Sequence, residues 1–175
     1  MRSTLTLLAL PLVALTGCTS VADLPAARMG GATLVRADGT PAGTAQVLVA
    51  GQRVTLAVVA TGVAAGVHGI HLHTVGSCTR PDFTSAGGHL NPLGRQHGSA
   101  NPAGKHAGDL PNITIQPAGT GSLTADLAGT PEQVRQWLFD ADGTAIVLHA
   151  DPDDYRTDPT GNSGARIACG VIRPA

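Results

Sequence analysis

The chain has 175 residues, 42% of them hydrophobic, which is enough for one domain plus a short extension. With 11 Lys and Arg against 12 Asp and Glu it carries a formal net charge of −1, so it lacks the basic surface that nucleic-acid binding requires. Its 23 glycines and 12 prolines make up about a fifth of the residues, below the ~25–30% that marks a disordered chain.

The first element is a targeting segment. Arg2 supplies a positive start, and Leu5 to Leu15 is an apolar run too short to span a bilayer. It ends in Leu15-Thr16-Gly17-Cys18, which resembles the lipobox of bacterial lipoproteins. That resemblance implies a signal peptide over 1–17 and a lipid on Cys18. Residues 18–30 would then form the lipidated N-terminus and tether, and 31–175 the domain. An ordinary signal peptide with an incidental Cys18 is the alternative. The implied location is the periplasmic face of the cell envelope. Thr19, where an aspartate would retain the protein, leans toward the outer membrane.

Segments enriched in Val, Ile, Leu and Thr follow at 31–37, 43–50, 53–60, 68–74, 112–116, 119–126, 144–150 and 165–172. Turn clusters such as ADGTPAG (37–43) and ADGT (141–144) punctuate them. Eight short strands predict an all-β sandwich or barrel. PEQVRQWLFD, 131–140, is the best helical segment. Long irregular stretches remain at 75–111 and 150–164, and loops of that length in a compact domain are usually functional. The two cysteines after Cys18 are Cys78 and Cys169. An exported chain meets an oxidising compartment, so pairing is expected, with two free thiols as the alternative.

Three of the seven histidines crowd into VHGIHLH, 67–73. Residues two apart on a strand share a face, so His71 and His73 project together while Ile70 and Leu72 face the other way. Two imidazoles on one face make half of a metal site. His68 has the opposite parity to His71 and is expected to pack or bond to backbone. The 75–111 loop carries His89, His97 and His106, with Asp109 three residues beyond the last. Three imidazoles and a carboxylate suit zinc, four-coordinate with no open position. A closed site would hold a loop that has little apolar content of its own. His149 ends the strand TAIVLH and is placed to join His71 and His73.

The motifs GVHGIHLH (66–73), TSAGGHLNP (84–92), GRQHGS (94–99), GKHAGDLPN (104–112) and GNSGARIACGVI (161–172) together resemble the Cu,Zn superoxide dismutase family, bacterial periplasmic type, over about 31–173. The resemblance implies a flattened eight-stranded Greek-key β-barrel with long metal-binding and electrostatic loops. It implies copper held by His71, His73, His89 and His149, and zinc held by His89, His97, His106 and Asp109. His89 would be shared, bridging the metals as an imidazolate, and would carry a proton when it detaches from copper in the reduced state. It further implies a Cys78–Cys169 disulfide, Arg166 beside copper, and Asp153, or its neighbour Asp154, linking a copper ligand to a zinc ligand. The implied activity is dismutation of superoxide to dioxygen and hydrogen peroxide by copper redox cycling. The alternative is a copper/zinc-binding lipoprotein without catalysis. The implied partners are superoxide and a membrane, through the lipid anchor at Cys18; a homodimer is compatible with the sequence.

One feature departs from the family. Between His149 and Arg166 lie four aspartates, Asp151, Asp153, Asp154 and Asp158, against one cation, Arg156. Lysines that steer superoxide are usual there. Lys105, the only lysine, and Arg156 are the substitutes the chain offers, and the aspartates are alternative partners for Arg166.

Overall fold

The computed structural model describes residues 26–175. Cys18 and the expected signal peptide lie outside the described residues. Nine strands run in chain order: β1 (Ala27–Arg36), β2 (Pro41–Ala50), β3 (Arg53–Thr61), β4 (Gly66–His68), β5 (Ile70–His73), β6 (Ile113–Ile115), β7 (Thr120–Leu127), β8 (Thr144–His149) and β9 (Arg166–Pro174). One helix, α1 (Pro131–Leu138), precedes β8. Seven strands form a single antiparallel sheet in the order β5-β8-β9-β1-β2-β3-β7, and β4 pairs with β6. This small pair closes the curl. β4 runs into β5 after Gly69, and β6 turns into β7 with Gln116 N–H donating to Thr120 O (2.8 Å). The result is the expected Greek-key β-barrel. Its fourth strand is split at Gly69, whose N–H donates to Asp151 O and whose carbonyl accepts from His149 N–H.

Period-two patterning builds the core. In β3, Val54, Leu56, Val58 and Ala60 are buried, alternating with exposed or half-buried neighbours. Strand β8 departs from this, with all six residues buried. Ile146 and Leu148 face the main core. Ala145 and Val147 face a second cluster with Phe83, Ala86 and Cys169. The 74–112 loop therefore covers the outer face of β8. Cys78 and Cys169 are joined by a disulfide that ties this loop to β9 across 91 residues.

Two expectations are corrected. β1 begins at Ala27, so residues 27–30 belong to the barrel and not to the tether expected over 18–30. Pairing decides this: Ala27 lies opposite Val49 and Gly30 opposite Pro174, so both neighbouring strands extend this far. The helix ends at Leu138, two residues short of 140. Its start is set by a capping box: Thr130 N–H donates to Gln133 Oε1 (2.9 Å) and Gln133 N–H to Thr130 Oγ1 (3.3 Å). Val134 and Leu138 are its buried face.

Candidate metal centre

β5 is the edge strand of the seven-stranded sheet, and the histidine loop folds back along its free edge. Leu72 N–H donates to Gly108 O (2.9 Å), Leu90 N–H to Leu72 O (2.8 Å) and Gly108 N–H to Leu90 O (2.9 Å). A side chain at 108 would collide with the carbonyl of Leu72, so only glycine permits this approach. The edge pairing sets His89 opposite His73 and Asp109 opposite His71. From the other side, β8 pairs with β5 and delivers His149 at its end. A bulge at Leu148/His149 places Arg166 of β9 opposite His149.

Two clusters result. The candidate ligand atoms of His71, His73, His89 and His149 lie within 4.8 Å of one another, as do those of His89, His97, His106 and Asp109. All seven residues are buried. In the second cluster Asp109 Oδ1 lies 2.9 Å from His89 Nδ1 and 3.1 Å from both His97 Nδ1 and His106 Nδ1. Tetrahedral zinc with bonds of about 2.0–2.1 Å has ligand–ligand edges of about 3.3 Å, so the set is close to the size that zinc needs. His97 Nδ1 makes no hydrogen bond despite that 3.1 Å separation. Its lone pair is not aimed at the carboxylate.

The first cluster gives a sharper test of fit. His71 Nδ1, His73 Nε2, His89 Nε2 and His149 Nε2 are all buried without a hydrogen-bond partner. Buried polar atoms are rarely orphaned, and four imidazole nitrogens together fit a metal. The opposite nitrogen of three of these rings is held by an acceptor. His71 Nε2 donates to Asp153 Oδ2 (2.8 Å), His73 Nδ1 to Gly87 O (2.9 Å) and His149 Nδ1 to Gly164 O (3.3 Å). An acceptor on one nitrogen leaves the other free to ligate. His89 is the exception, since its Nδ1 faces the second cluster.

Asp153, and not Asp154, joins the two clusters. Its second oxygen accepts from His97 Nε2 (2.9 Å). Asp154 instead clips its own loop, accepting from Arg156 N–H, Thr157 N–H and Asn162 Nδ2. Asn112 grips the Asp153 backbone from both sides, donating to its carbonyl (2.9 Å) and accepting from its N–H (2.8 Å). Gly161 packs where a Cβ would strike both Asp153 and His97, at a φ of 65° that favours glycine. Neither role was read from the sequence, although both residues lie inside the motifs. His68 contacts backbone only, with Nδ1 2.9 Å from His149 O and Nε2 3.1 Å from Ala64 O.

Electrostatics sort the rings by cluster. Burial pushes His73 down to about 2, His149 to about 3 and His89 to about 4, so these rings are neutral at neutral pH and each keeps one nitrogen free of a proton. Burial also works against a charge on His97, but Asp109 and Asp153 outweigh it and raise that ring to about 9. Both aspartates stay well below the usual carboxylate range. Burial opposes their ionisation, and the His89 hydrogen bond and the nearby His97 ring at Asp109, together with the hydrogen bonds from His71 and His97 to Asp153, overcome it. The second cluster thus attracts positive charge between its carboxylates, and a divalent cation satisfies that demand better than one proton.

Arg166 donates to Phe83 O and to Gly87 O, both at 2.7 Å. Gly87 O also accepts from His73, so one carbonyl ties the guanidinium to a ring of the first cluster. Among the described residues Arg166 forms no salt bridge, so none of the four loop aspartates is its partner. Lys105 Nζ donates to Asp109 O (2.9 Å), on the side of the second cluster.

Four imidazoles turned toward one point, and three with a carboxylate toward another, sharing one ring, define a binuclear metalloprotein on a Greek-key barrel. The family model for copper/zinc superoxide dismutase matches residues 41–172. The chain is 40% identical over 145 residues to Superoxide dismutase (Cu-Zn) 2 of Aquifex aeolicus, covering 81% of this chain and 85% of that one. It is 42% identical over 142 residues to Superoxide dismutase (Cu-Zn) of Caulobacter vibrioides, covering 78% and 80%. It is 47% identical over 106 residues to the superoxide dismutase-like protein YojM of Bacillus subtilis, but spans only 54% of that protein. The crystal structure of a SOD-like protein from Bacillus subtilis superposes with a TM-score of 0.77 at 36% identity, covering 84% of this chain and all of that one. The chain belongs to the copper/zinc superoxide dismutase family, whose cofactors are copper and zinc.

Proposed function

We propose that this protein is an envelope superoxide dismutase, converting two superoxide ions and two protons into dioxygen and hydrogen peroxide. The reading is carried by Arg166, a guanidinium without an ion-pair partner among the described residues, fixed beside the four-imidazole cluster. In this reading His71, His73, His89 and His149 hold copper. His89, His97, His106 and Asp109 hold zinc. Bound copper supplies the one-electron chemistry, and zinc is redox-inert.

The chain's own groups do the rest. Arg166 attracts and orients a small anion next to the cluster, and its two carbonyl anchors keep its direction fixed. His73, His149 and His71 are held in the ligating orientation by Gly87 O, Gly164 O and Asp153. His89 turns Nε2 to one cluster and Nδ1 to the other, so Nε2 is the atom at which it can take up and return a proton while Nδ1 stays engaged. Asp153 couples the orientation of His71 to that of His97.

Arg166→Ala, loaded with copper and zinc, is expected to lose about tenfold or more of the dismutation rate at unchanged metal content. A fully loaded wild-type protein without dismutase activity would overturn the reading. The metal-binding lipoprotein, which the match to a superoxide dismutase-like relative favours, would replace it.

We place the protein at the periplasmic face of the bacterial envelope, held to the outer membrane by lipid on Cys18. Two acyl chains already suffice for stable anchoring. Cys18→Ser is expected to move the protein from the membrane to the soluble fraction. Continued partition of that variant with membranes would exclude this anchor.

A further inference from the structure

The acid-rich loop of 150–164 is largely used up by structure. Asp153 joins the clusters, Asp154 clips the loop, and Asp158 accepts from His97 N–H (2.5 Å). Asp151 is left over: its carboxylate makes no hydrogen bond among the described residues. It lies against Gly164, where a Cβ would collide with it. Gly164 lines an open pocket of about 300 Å³ together with Asp82, Thr84, Ala165 and Arg166. Asp82 is exposed, and its Oδ1 accepts from Thr84 N–H (3.1 Å) and Thr84 Oγ1 (2.9 Å), which pins the carboxylate at the pocket wall. Neither Asp82 nor Asp151 forms a salt bridge among the described residues. A pocket lined by one guanidinium is thus also lined by one carboxylate, that of Asp82.

We propose that Asp82 forms an anionic rim beside Arg166 that selects anions by charge, admitting a monoanion such as superoxide and excluding dianions such as phosphate. The inference rests on Arg166 being the anion-receiving group of the proposed function. A half-buried guanidinium that lines an open pocket is a ready binder of phosphate, which would block the pocket. Rim repulsion scales with the charge of the incoming ion. Whatever factor the rim costs a monoanion, it therefore costs a dianion the square of that factor. A rim that weakens superoxide attraction only modestly still rejects phosphate strongly.

The test is anion binding to the copper- and zinc-loaded protein, followed by the visible copper spectrum at pH 8 and low ionic strength. Azide serves as the monoanion and inorganic phosphate as its competitor. Asp82→Asn keeps an oxygen acceptor for Thr84 and removes only the charge. Asp126→Asn, on β7 in a pair with Arg53, controls for net charge. Asp82→Asn is expected to bind azide roughly threefold and phosphate about tenfold more tightly, with both gains shrinking as salt is added. Equal factors for azide and phosphate, no change in Asp82→Asn, or an equal change in Asp126→Asn would overturn the proposal. Binding is read without turnover, so the two readings fail separately. Absent dismutation with intact charge selection removes the dismutase alone, and fast dismutation with unaltered anion affinities removes the rim alone.

Discussion

Asp109→Asn is expected to weaken zinc binding by at least about a hundredfold while the barrel still folds. The carboxylate is engaged on every side. Oδ1 faces the Nδ1 atoms of His89, His97 and His106, and Oδ2 accepts from Gly98 N–H (2.9 Å) and His106 N–H (3.0 Å). An asparagine keeps the shape but loses the charge that neutralises a divalent cation. Its NH₂ must also face either two backbone donors or three ring nitrogens. Loss of an outer partner of a metal ligand already costs about 10–100-fold in affinity, and a direct ligand costs more. The sheet does not depend on this residue, so the apoprotein should keep its far-ultraviolet dichroism and a cooperative melt. Competition with a zinc chelator measures the affinity. Wild-type zinc affinity in the variant would remove Asp109 from the zinc site.

The second large effect concerns the disulfide. Removing the Cys78–Cys169 bridge, by alanine at both positions, is expected to lower the stability of the apoprotein by about 4–5 kcal/mol. That follows from the chain entropy of a 91-residue loop and corresponds to a melting temperature lower by about 10–20 °C. Thermal unfolding of the metal-free protein with and without a reductant gives the same comparison without mutation. The loss should also reach the site. The bridge packs with Phe83, Ala86, Ala145 and Val147, and the loop it ties supplies both carbonyls that hold Arg166. Azide affinity of the copper-loaded double variant is therefore expected to fall along with stability. A melt within about 2 °C of wild type would show that the loop is held by its own packing, not by the bridge.

Much of this was legible from residues alone because the relevant physics is local. Strand parity put His71 and His73 on one face and Ile70 and Leu72 on the other, and the structure buries the latter pair in the core. The TPEQ start of the helix carries its own cap, so its first turn was readable, while its end depends on where Leu138 meets the core. Clustered histidines among glycines and prolines marked a loop with little apolar content of its own, which a closed metal site would hold.

Other features depend on contacts between distant segments. Residue types alone could not choose between Asp153 and Asp154. The grip of Asn112, 41 residues away, and the close packing of Gly161 decide it. The start of β1 inside the expected tether depends on how far β2 and β9 extend beside it. The acceptors that orient His73, His149 and Arg166 are backbone carbonyls of Gly87, Gly164 and Phe83. Every residue has a carbonyl, so none of these can be read as a letter. The sequence by itself determined which side chains could bind metal and which strand faces they share. The tertiary structure decided which nitrogen of each ring points inward and what surrounds Arg166, because both are set by backbone groups brought together only when the loops close over the barrel.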